Sequence, residues 1–206
     1  ASWLDSCGNG KLSTILKDIT TNRYPVDQKA GLISAVYMME PTYPYKDVKG
    51  NICDDVHSIA MSLLSYQEEY GILLANPNDS LFLYLESHTQ CDVDRLRSYF
   101  SDSSHIDVRI AIMRLAFEMD PEIPFLPKYA SSSLKEIVKT FGRESLTEDD
   151  WHSLMDGRLL SWMYSHEDHM ACESLRIMTQ GQPYSEGLAY KILYNLDRDA
   201  AYDLTT

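Results

Sequence analysis

Three residues near the carboxyl end of the sequence have side chains that could bind a metal ion. His166 and His169 are three positions apart, and Cys172 follows three positions later. On one helix this spacing would place two imidazoles and a thiol on the same face, where they could hold Zn²⁺. A closed zinc site needs four ligands, and only three are suggested here. The pattern therefore favours a polar connector between two helices, and we predict no metal, cofactor or catalytic residue.

A second group of reactive side chains contains Cys53, Asp54, Asp55 and His57. A thiol and an imidazole could form a Cys–His nucleophile, but a catalytic cysteine needs its base across space rather than four residues along one helix. Acidic residues early in a helix are stabilised by the helix dipole. We therefore interpret the two aspartates as the start of a helix, and an enzyme using either histidine group remains an alternative hypothesis.

Two short segments resemble catalytic motifs and fail on inspection. Residues 8–13 contain Gly-Asn-Gly-Lys, but Leu12 stands where a phosphate-binding loop needs Ser or Thr. Residues 132–135 fit S-x-x-K, yet the companion K-T-G motif is absent. We predict a helix–helix turn for the first segment and a serine cap on a helix over residues 134–141 for the second.

The elements that would position these residues follow a pattern that recurs three times at intervals of about 80 residues. The first anchor of each copy lies in Ser2-Trp3-Leu4, Leu83-Tyr84-Leu85 and Ser161-Trp162-Met163. The second anchor of each copy follows the first at a nearly constant separation along the sequence. This separation is 35 positions from Leu4 to Met39, 34 from Leu85 to Met119 and 33 from Met163 to Leu196. Such constancy indicates one structural unit used three times.

The clearest helix of each copy ends at the second anchor. Its apolar residues recur at helical spacing, as in Leu32, Ile33, Val36, Tyr37 and Met39 of the first copy, and predict a buried stripe. The second and third copies show the same stripe in Val108, Ala111, Ile112, Leu115, Ala116 and Met119, and in Leu188, Ile192, Leu193 and Leu196.

Prolines set the predicted limits of this helix. Pro25 and Pro183 suit the first helical position, where the second copy has His105, and Pro41 and Pro121 are stop signals.

Further helices are expected in the segments that join these repeats. They cover about residues 52–65, 66–75, 134–141 and 148–155, with Thr147 as N-cap of the last. No strand pairing is predicted, and residues 81–85 are interpreted as a buried helix. Tyr45, Phe125 and Tyr202 are expected to anchor the connectors on the core.

Aromatic residues divide into two predicted groups. Trp3, Tyr84 and Trp162 share one repeat position and are expected in the core. Tyr66, Tyr70 and Tyr164 lie off the repeat pattern and could line a partner surface, where tyrosine is favoured.

The charge of the chain limits its partners. The 206 residues carry a formal net charge of −13, which disfavours nucleic acid and anionic membranes and suits a protein partner with a basic surface. No apolar run is long enough to cross a bilayer, and no secretory signal is present. The four cysteines are far apart, so we expect free thiols in a reducing cytoplasm.

These observations predict an all-α fold built as an array of three helical repeats with HEAT/TPR-like right-handed stacking of short helices. The chain is expected to form a single domain over 1–206, with repeats at 1–78 and 79–156 and a partial third at 157–206. The repeat pattern begins inside a helix, so we expect a segment of a longer protein.

Two segments, residues 156–163 (DGRLLSWM) and 119–125 (MDPEIPF), resemble helical repeat extensions of bacterial regulatory proteins. The resemblance covers the whole chain at the level of the repeat. In those proteins the repeats are appended to kinase-like, Hsp70-like or defence domains, and the resemblance implies a scaffolding segment without catalytic residues. The leading hypothesis is a non-enzymatic module that binds a protein or another domain of its parent chain. An acidic antitoxin or immunity-type inhibitor of a basic toxin is the second hypothesis.

Overall fold

The computed structural model describes residues 5–101, 106–129, 132–143, 145–166 and 169–202, and these residues are mostly helical. Two compact units are present: Ala1–Asp55 with Glu69–His105, and Val56–Glu68 with Ile106–Thr206. The elements are α1 Gly10–Asp18, a π-helical segment Ile19–Arg23, α2 Gln28–Met39, β1 Tyr45–Lys46, β2 Ile52–Cys53, α3 Val56–Ser65, α4 Gln67–Leu73, α5 Ser80–His88, α6 Val93–Ser98, α7 Val108–Met119, α8 Leu134–Thr140, α9 Glu148–His152, α10 Arg158–His166, α11 His169–Thr179, α12 Glu186–Leu196 and α13 Arg198–Tyr202.

In the first unit, α2 packs against α5 and against the π-helical segment. The ring of Tyr37 on α2 lies nearly perpendicular to the rings of Tyr84 and His88 on α5, with centroids 5.4 Å and 5.3 Å away. Tyr84 also stacks on His88 at 4.1 Å. This aromatic cluster holds one side of α2 in the core.

A two-stranded antiparallel hairpin follows α2 and was not predicted. Tyr45 pairs with Cys53, and the Asp47 carboxylate accepts hydrogen bonds from the backbone N–H groups of Lys49 (2.9 Å) and Asn51 (2.8 Å). Gly50 has φ +84, which suits glycine because it lacks a Cβ. The hairpin brings Tyr45 into the core.

In the second unit, α7 lies between α3 and α10. On the α10 side, the Ser161 hydroxyl donates to the backbone oxygen of Ile110 at 3.3 Å, and Arg114 lies 4.0 Å over the ring of Tyr164. On the α3 side, His57 pairs with Asp120, the residue that follows α7. Most of the apolar surface of α7 is therefore covered.

The all-α prediction is confirmed at the level of fold class, and so are several helix ends. Helices α2 and α7 end at Met39 and Met119, before the predicted proline signals. Thr147 caps α9 in a capping box with Asp150, and residues 81–85 are helical. Tyr45 and Phe125 are buried, at 2% and 0% exposed, as the connector anchors should be.

Three predicted helix starts are wrong. Helix α2 begins at Gln28 because Asp27, not Pro25, caps it by accepting from the Ala30 N–H at 2.9 Å. Helix α12 likewise begins after Ser185, which accepts from the Leu188 N–H, and not at Pro183. The helix expected from residue 52 begins at Val56, because residues 52–53 form a strand.

Some predictions concern residues that the structure leaves out. Ser2-Trp3-Leu4, His105 and the side chain of Tyr202 lie outside the described residues.

Among the described residues, every helix is too short or too polar to cross a membrane.

Candidate functional site

The three candidate zinc ligands do not share one helix. His166 is the last residue of α10, whereas His169 begins α11 and Cys172 lies within it. The imidazole of His166 stacks on Trp162 at 3.9 Å. Its Nδ1 lies 2.9 Å from the Trp162 carbonyl oxygen, and its Nε2 lies 2.8 Å from that of Pro121. Both ring nitrogens are therefore engaged with the backbone, and His166 ends a helix rather than lying in a loop.

Cys172 is buried in α11 with 1% of its surface exposed, while His169 is exposed. Over residues 5–101, 106–129, 132–143, 145–166 and 169–202, no three His, Cys, Asp or Glu side chains are arranged to hold a metal ion.

The second candidate group is divided by the fold. Cys53 is buried in strand β2 of the first unit, and His57 belongs to the second unit. Asp54 and Asp55 precede α3 instead of forming its first turn, because the helix begins at Val56. The group thus does not lie on one helix.

His57 instead forms a hydrogen bond that the sequence did not indicate. Its Nδ1 lies 2.5 Å from Oδ2 of Asp120, and Oδ1 of Asp120 accepts from the Glu122 N–H at 3.1 Å. A carboxylate that orients an imidazole is also a general-base arrangement. Here the pair joins the first turn of α3 to the residue that follows α7, so its evident role is to hold these helices together.

The serine motif is a helix cap, as predicted. Ser133 accepts from the Glu136 N–H at 3.3 Å, and the Ser132 hydroxyl donates to the Glu136 carboxylate at 2.9 Å. These hydrogen bonds satisfy the free groups at the start of α8. Lys135 lies one position into that helix, which ends at Thr140.

The tyrosines expected at a partner surface differ in exposure. Tyr70 is fully buried, so its prediction as a surface residue is wrong. Tyr66 and Tyr164 are half-buried, and Arg114 covers the ring of Tyr164. Tyr84 and Trp162 are buried at 6% and 0% exposed, which confirms their place in the core.

An acidic pocket of about 240 Å³ lies at the amino ends of α2 and α5. Asp27 accepts from the Ala30 N–H and from the side-chain amide of Asn78 at 3.2 Å, and these hydrogen bonds lower its pKa. Asp79 accepts from the Leu81 N–H at 2.9 Å, while burial raises its pKa. Both carboxylates cap helices, so we interpret the pocket as a structural feature.

The most unusual surface of the first unit is apolar and lies on α2. Leu32, Val36 and Met39 recur on one face of this helix, and Tyr43 continues the line beyond its end; we call these four residues the α2 stripe. Leu32 is 65% exposed, and Met39 and Tyr43 are each 45% exposed. Large side chains so open to water, close together, are typical of a docking surface.

The α2 stripe borders a groove of about 320 Å³. Its lining combines Leu32, Ile33, Val36, Tyr37, Tyr43 and Pro44 with Lys46 and Ser80. Burial raises the pKa of Tyr37 to about 12, so this phenol stays neutral at physiological pH and adds no charge. The groove can therefore receive apolar side chains, with Lys46 and Ser80 as its polar lining residues.

The sequence indicated the stripe but not its exposure. Helical spacing predicted that Leu32 and Met39 are buried, and this is wrong because one side of α2 has no helix packed on it among the described residues. A signal was present: α2 is apolar nearly all round, with Ala30, Ile33 and Tyr37 on its other faces. A helix of this type must be covered on every side or expose an apolar face.

The chain matches no protein-family model, no curated protein and no solved structure.

Proposed function

We propose that this chain is a non-enzymatic helical-repeat module that binds a protein partner, or another domain of its parent chain, through the α2 stripe. The exposed apolar side chains of that stripe are the observation that carries the proposal. Interface centres are enriched in such residues, with Met and Tyr among the favoured types.

The order of elements supports the repeat part of the proposal. Helices α2, α7 and α12 begin at residues 28, 108 and 186, so they recur after 80 and then 78 positions. Helices α3 and α8 begin at 56 and 134, and α5 and α10 at 80 and 158, each pair 78 positions apart. The equivalent histidines, His88 and His166, each stack on an aromatic residue four positions earlier in the same helix. Local geometry thus recurs with the sequence pattern, as repeat units require.

The biological setting follows from the resemblance to bacterial helical repeat extensions. It suggests a scaffolding segment of a cytoplasmic regulatory or defence protein. The widely separated cysteines fit a reducing compartment.

An acidic inhibitor that covers a basic toxin is the second candidate, and the net charge of −13 favours it. Such a complex would depend on opposite charges across its interface, whose attraction salt weakens. The two candidates therefore differ in which surface binds and in their response to salt.

Affinity capture from a lysate of the source organism tests the proposal. The immobilised chain is compared with a Leu32→Asp/Met39→Asp variant and with Ile72→Asp, a control at a position 80% exposed on α4. We expect a stoichiometric partner on the wild type and on the control, at low and high salt, and its loss from the double variant.

Two results would decide against parts of the proposal. Absence of any partner at either salt would reject binding to a separate protein and leave docking on another domain of the parent chain. A partner that stays on the double variant and leaves at high salt would support the acidic inhibitor instead.

A further inference from the structure

Two pairs of packed helices in the second unit are separated by the same interval along the sequence. Helix α3 packs on α7, and the two begin at residues 56 and 108, 52 positions apart. Helix α8 packs on α12, and they begin at residues 134 and 186, again 52 positions apart. In both pairs a helix is therefore covered by the helix that starts 52 positions earlier in the same chain.

The positions that correspond to the α2 stripe are buried in both covered helices. Leu32 and Val36 lie seven and three positions before the second anchor of their copy, Met39. The residues at the same distances before Met119 and Leu196 are 0% exposed: Ile112, Ala116, Ala189 and Leu193. Leu32, in contrast, is 65% exposed. The three helices thus share one apolar pattern and differ in what packs on it.

A different face of α7 is taken by the helix that follows it, α10. Gly157 precedes α10 and lies close to Ile110 and Met113 on that face. The matching side of α2 receives α5, whose Tyr84 ring lies 5.4 Å from that of Tyr37. Helix α2 therefore has the counterpart of α10. Among the described residues of the first unit, no helix takes the place that α3 has on α7.

The two covering helices share a residue pattern. Three buried apolar residues of α3 recur 78 positions later, in α8 and directly after it: Ile59, Ala60 and Leu63, then Ile137, Val138 and Phe141. The second residue of each helix has a basic side chain, His57 or Lys135, and His57 contacts Asp120. Acidic residues directly follow the covered helices, Asp120 after α7 and Asp197 after α12. Glu40 follows α2 in the same way.

We propose that the α2 stripe is covered by a helix of the same polypeptide that precedes the first residue of this sequence and packs on α2 as α3 packs on α7. The repeat places this helix eighty positions before α3, from about 25 to about 16 residues before Ala1. Counted from Ile59, Ala60 and Leu63, its buried apolar residues stand 22, 21 and 18 residues before Ala1. Counted from His57, a histidine, lysine or arginine stands 24 residues before Ala1 and faces Glu40. This inference rests on the proposed function and takes its second form, docking within the parent chain.

A second copy of this chain is a poorer occupant of the stripe. In the described part of the chain, the two helices with the covering pattern, α3 and α8, are already packed on α7 and α12. Two copies would also each carry a net charge of −13, and like charges oppose association. A preceding helix is instead held near the stripe by the chain itself, which gives it a high effective concentration.

Alkylation of a cysteine in the stripe tests the proposal. The natural polypeptide at its full length is compared with the 206-residue chain, each carrying Leu32→Cys, and mass spectrometry follows the peptide that contains position 32 during reaction with iodoacetamide. We expect the reaction at position 32 to be slower by roughly tenfold or more in the full-length polypeptide, because it requires local opening there. Ile72→Cys, at a position 80% exposed on α4, should react equally fast in both.

Substitutions in the preceding segment make the test specific. Aspartate at the positions 22 and 18 residues before Ala1 should restore fast alkylation at position 32 of the full-length polypeptide, because charged groups there would replace buried apolar ones. The control is aspartate 16 residues before Ala1, the position that matches the exposed Ser65 of α3, and it should leave position 32 protected.

Three results would overturn the inference. One is a natural polypeptide that begins at Ala1 or too few residues before it to contain the helix, as shown by sequencing its amino terminus. Another is equally fast alkylation at position 32 in both chains. The third is alkylation of the 206-residue chain that slows as its concentration rises, which would make a second copy the occupant.

Failure of this inference is distinct from failure of the proposed function. A separate protein captured through the stripe by the full-length polypeptide would overturn the inference and retain the proposed function. No capture by either chain, together with fast alkylation at position 32 in the full-length polypeptide, would reject both.

Discussion

Replacing Gly157 by alanine should destabilise the protein through two separate effects. Gly157 precedes α10 with φ +98, a conformation that side chains with a Cβ rarely adopt. A Cβ at this position would lie 2.5 Å from Cγ1 and 2.9 Å from Cδ1 of Ile110 on α7. Because Cγ1 is next to the branch point of Ile110, it cannot move away without a change of rotamer or backbone. The substitution thus tests how closely α10 approaches α7.

The magnitude follows from these two terms. A left-handed conformation costs an ordinary residue about 1–2 kcal/mol, and overpacking a well-filled contact costs about 1–3 kcal/mol. Together they predict a loss of roughly 2–5 kcal/mol in the free energy of unfolding. In a chain of this size that corresponds to a decrease in Tm of roughly 5–20 °C.

The assay is urea unfolding followed by circular dichroism and by tryptophan fluorescence, to which the buried Trp162 on α10 contributes. Two other glycines separate the effects. Gly181 has φ +68 with nothing within 4 Å of an added Cβ, so Gly181→Ala should cost only the conformational term. Gly187 lies in α12 with equally open space, and Gly187→Ala should stabilise the protein by about 0.5–1 kcal/mol.

A double-mutant cycle completes the test. Ile110→Ala removes both atoms that the new Cβ would meet, so Gly157→Ala in that background should cost no more than Gly181→Ala. If Gly157→Ala costs the same in both backgrounds, or no more than Gly181→Ala in the wild type, the close approach does not determine stability and the reasoning is refuted.

Three further substitutions test buried or capped groups by urea unfolding. Arg114→Met should lower the free energy of unfolding by about 3–5 kcal/mol, because it removes the guanidinium that lies 2.9 Å from the Glu118 carboxylate, a side chain only 7% exposed. Arg114→Met/Glu118→Leu should recover most of the loss, and equal losses would contradict this. Thr147→Ala should lower the free energy of unfolding by about 1 kcal/mol because it removes the cap of α9. Thr147→Ser should stay near the wild-type stability, and equal stability of the two variants would argue against the cap. Burial raises the pKa of Tyr37 to about 12, so its contribution to stability is complete below about pH 10 and is lost as pH rises from there towards 12. Tyr37→Phe should therefore lose less stability than wild type between pH 8 and pH 11, and identical losses would disprove the assignment.

Local rules were sufficient where a few neighbouring residues decide the structure. Pro121 stops α7 and Thr147 caps α9 because each acts on backbone groups within a few positions. The start of α2 was predicted wrongly because proline at position 25 gave a stronger signal than Asp27, although only Asp27 has a side chain that can accept a hydrogen bond from the first turn. The hairpin was missed because its strands have two residues each, too few for an alternating pattern, and only the turn from Asp47 to Gly50 indicated it.

Contacts between distant residues were beyond the reach of the sequence. His57 and Asp120 are 63 positions apart, and neither spacing nor residue type connects them. The exposure of Leu32 is of the same kind, because periodicity shows which side of a helix is apolar but not whether another helix covers it. Ile112 has the same place in its helix and is buried, so the difference comes from packing alone.

The rates of partner binding should separate the apolar and electrostatic parts of the proposed interaction. The partner captured from the lysate is measured against the wild type and against Leu32→Asp/Met39→Asp. Because the chain carries a net charge of −13, a partner with a basic surface should associate faster at low salt than at high salt. At high salt, charges are screened beyond a Debye length.

The dissociation rate should depend on the apolar contacts of the α2 stripe instead. It depends on the short-range contacts of Leu32 and Met39 with the partner, which salt screens little. Leu32→Asp/Met39→Asp should therefore speed dissociation by a similar factor at low and at high salt, in stopped-flow measurements. If salt mainly changes the dissociation rate, or if the double variant slows association alone, then charge and not the apolar stripe holds the complex together, and the acidic-inhibitor hypothesis is supported.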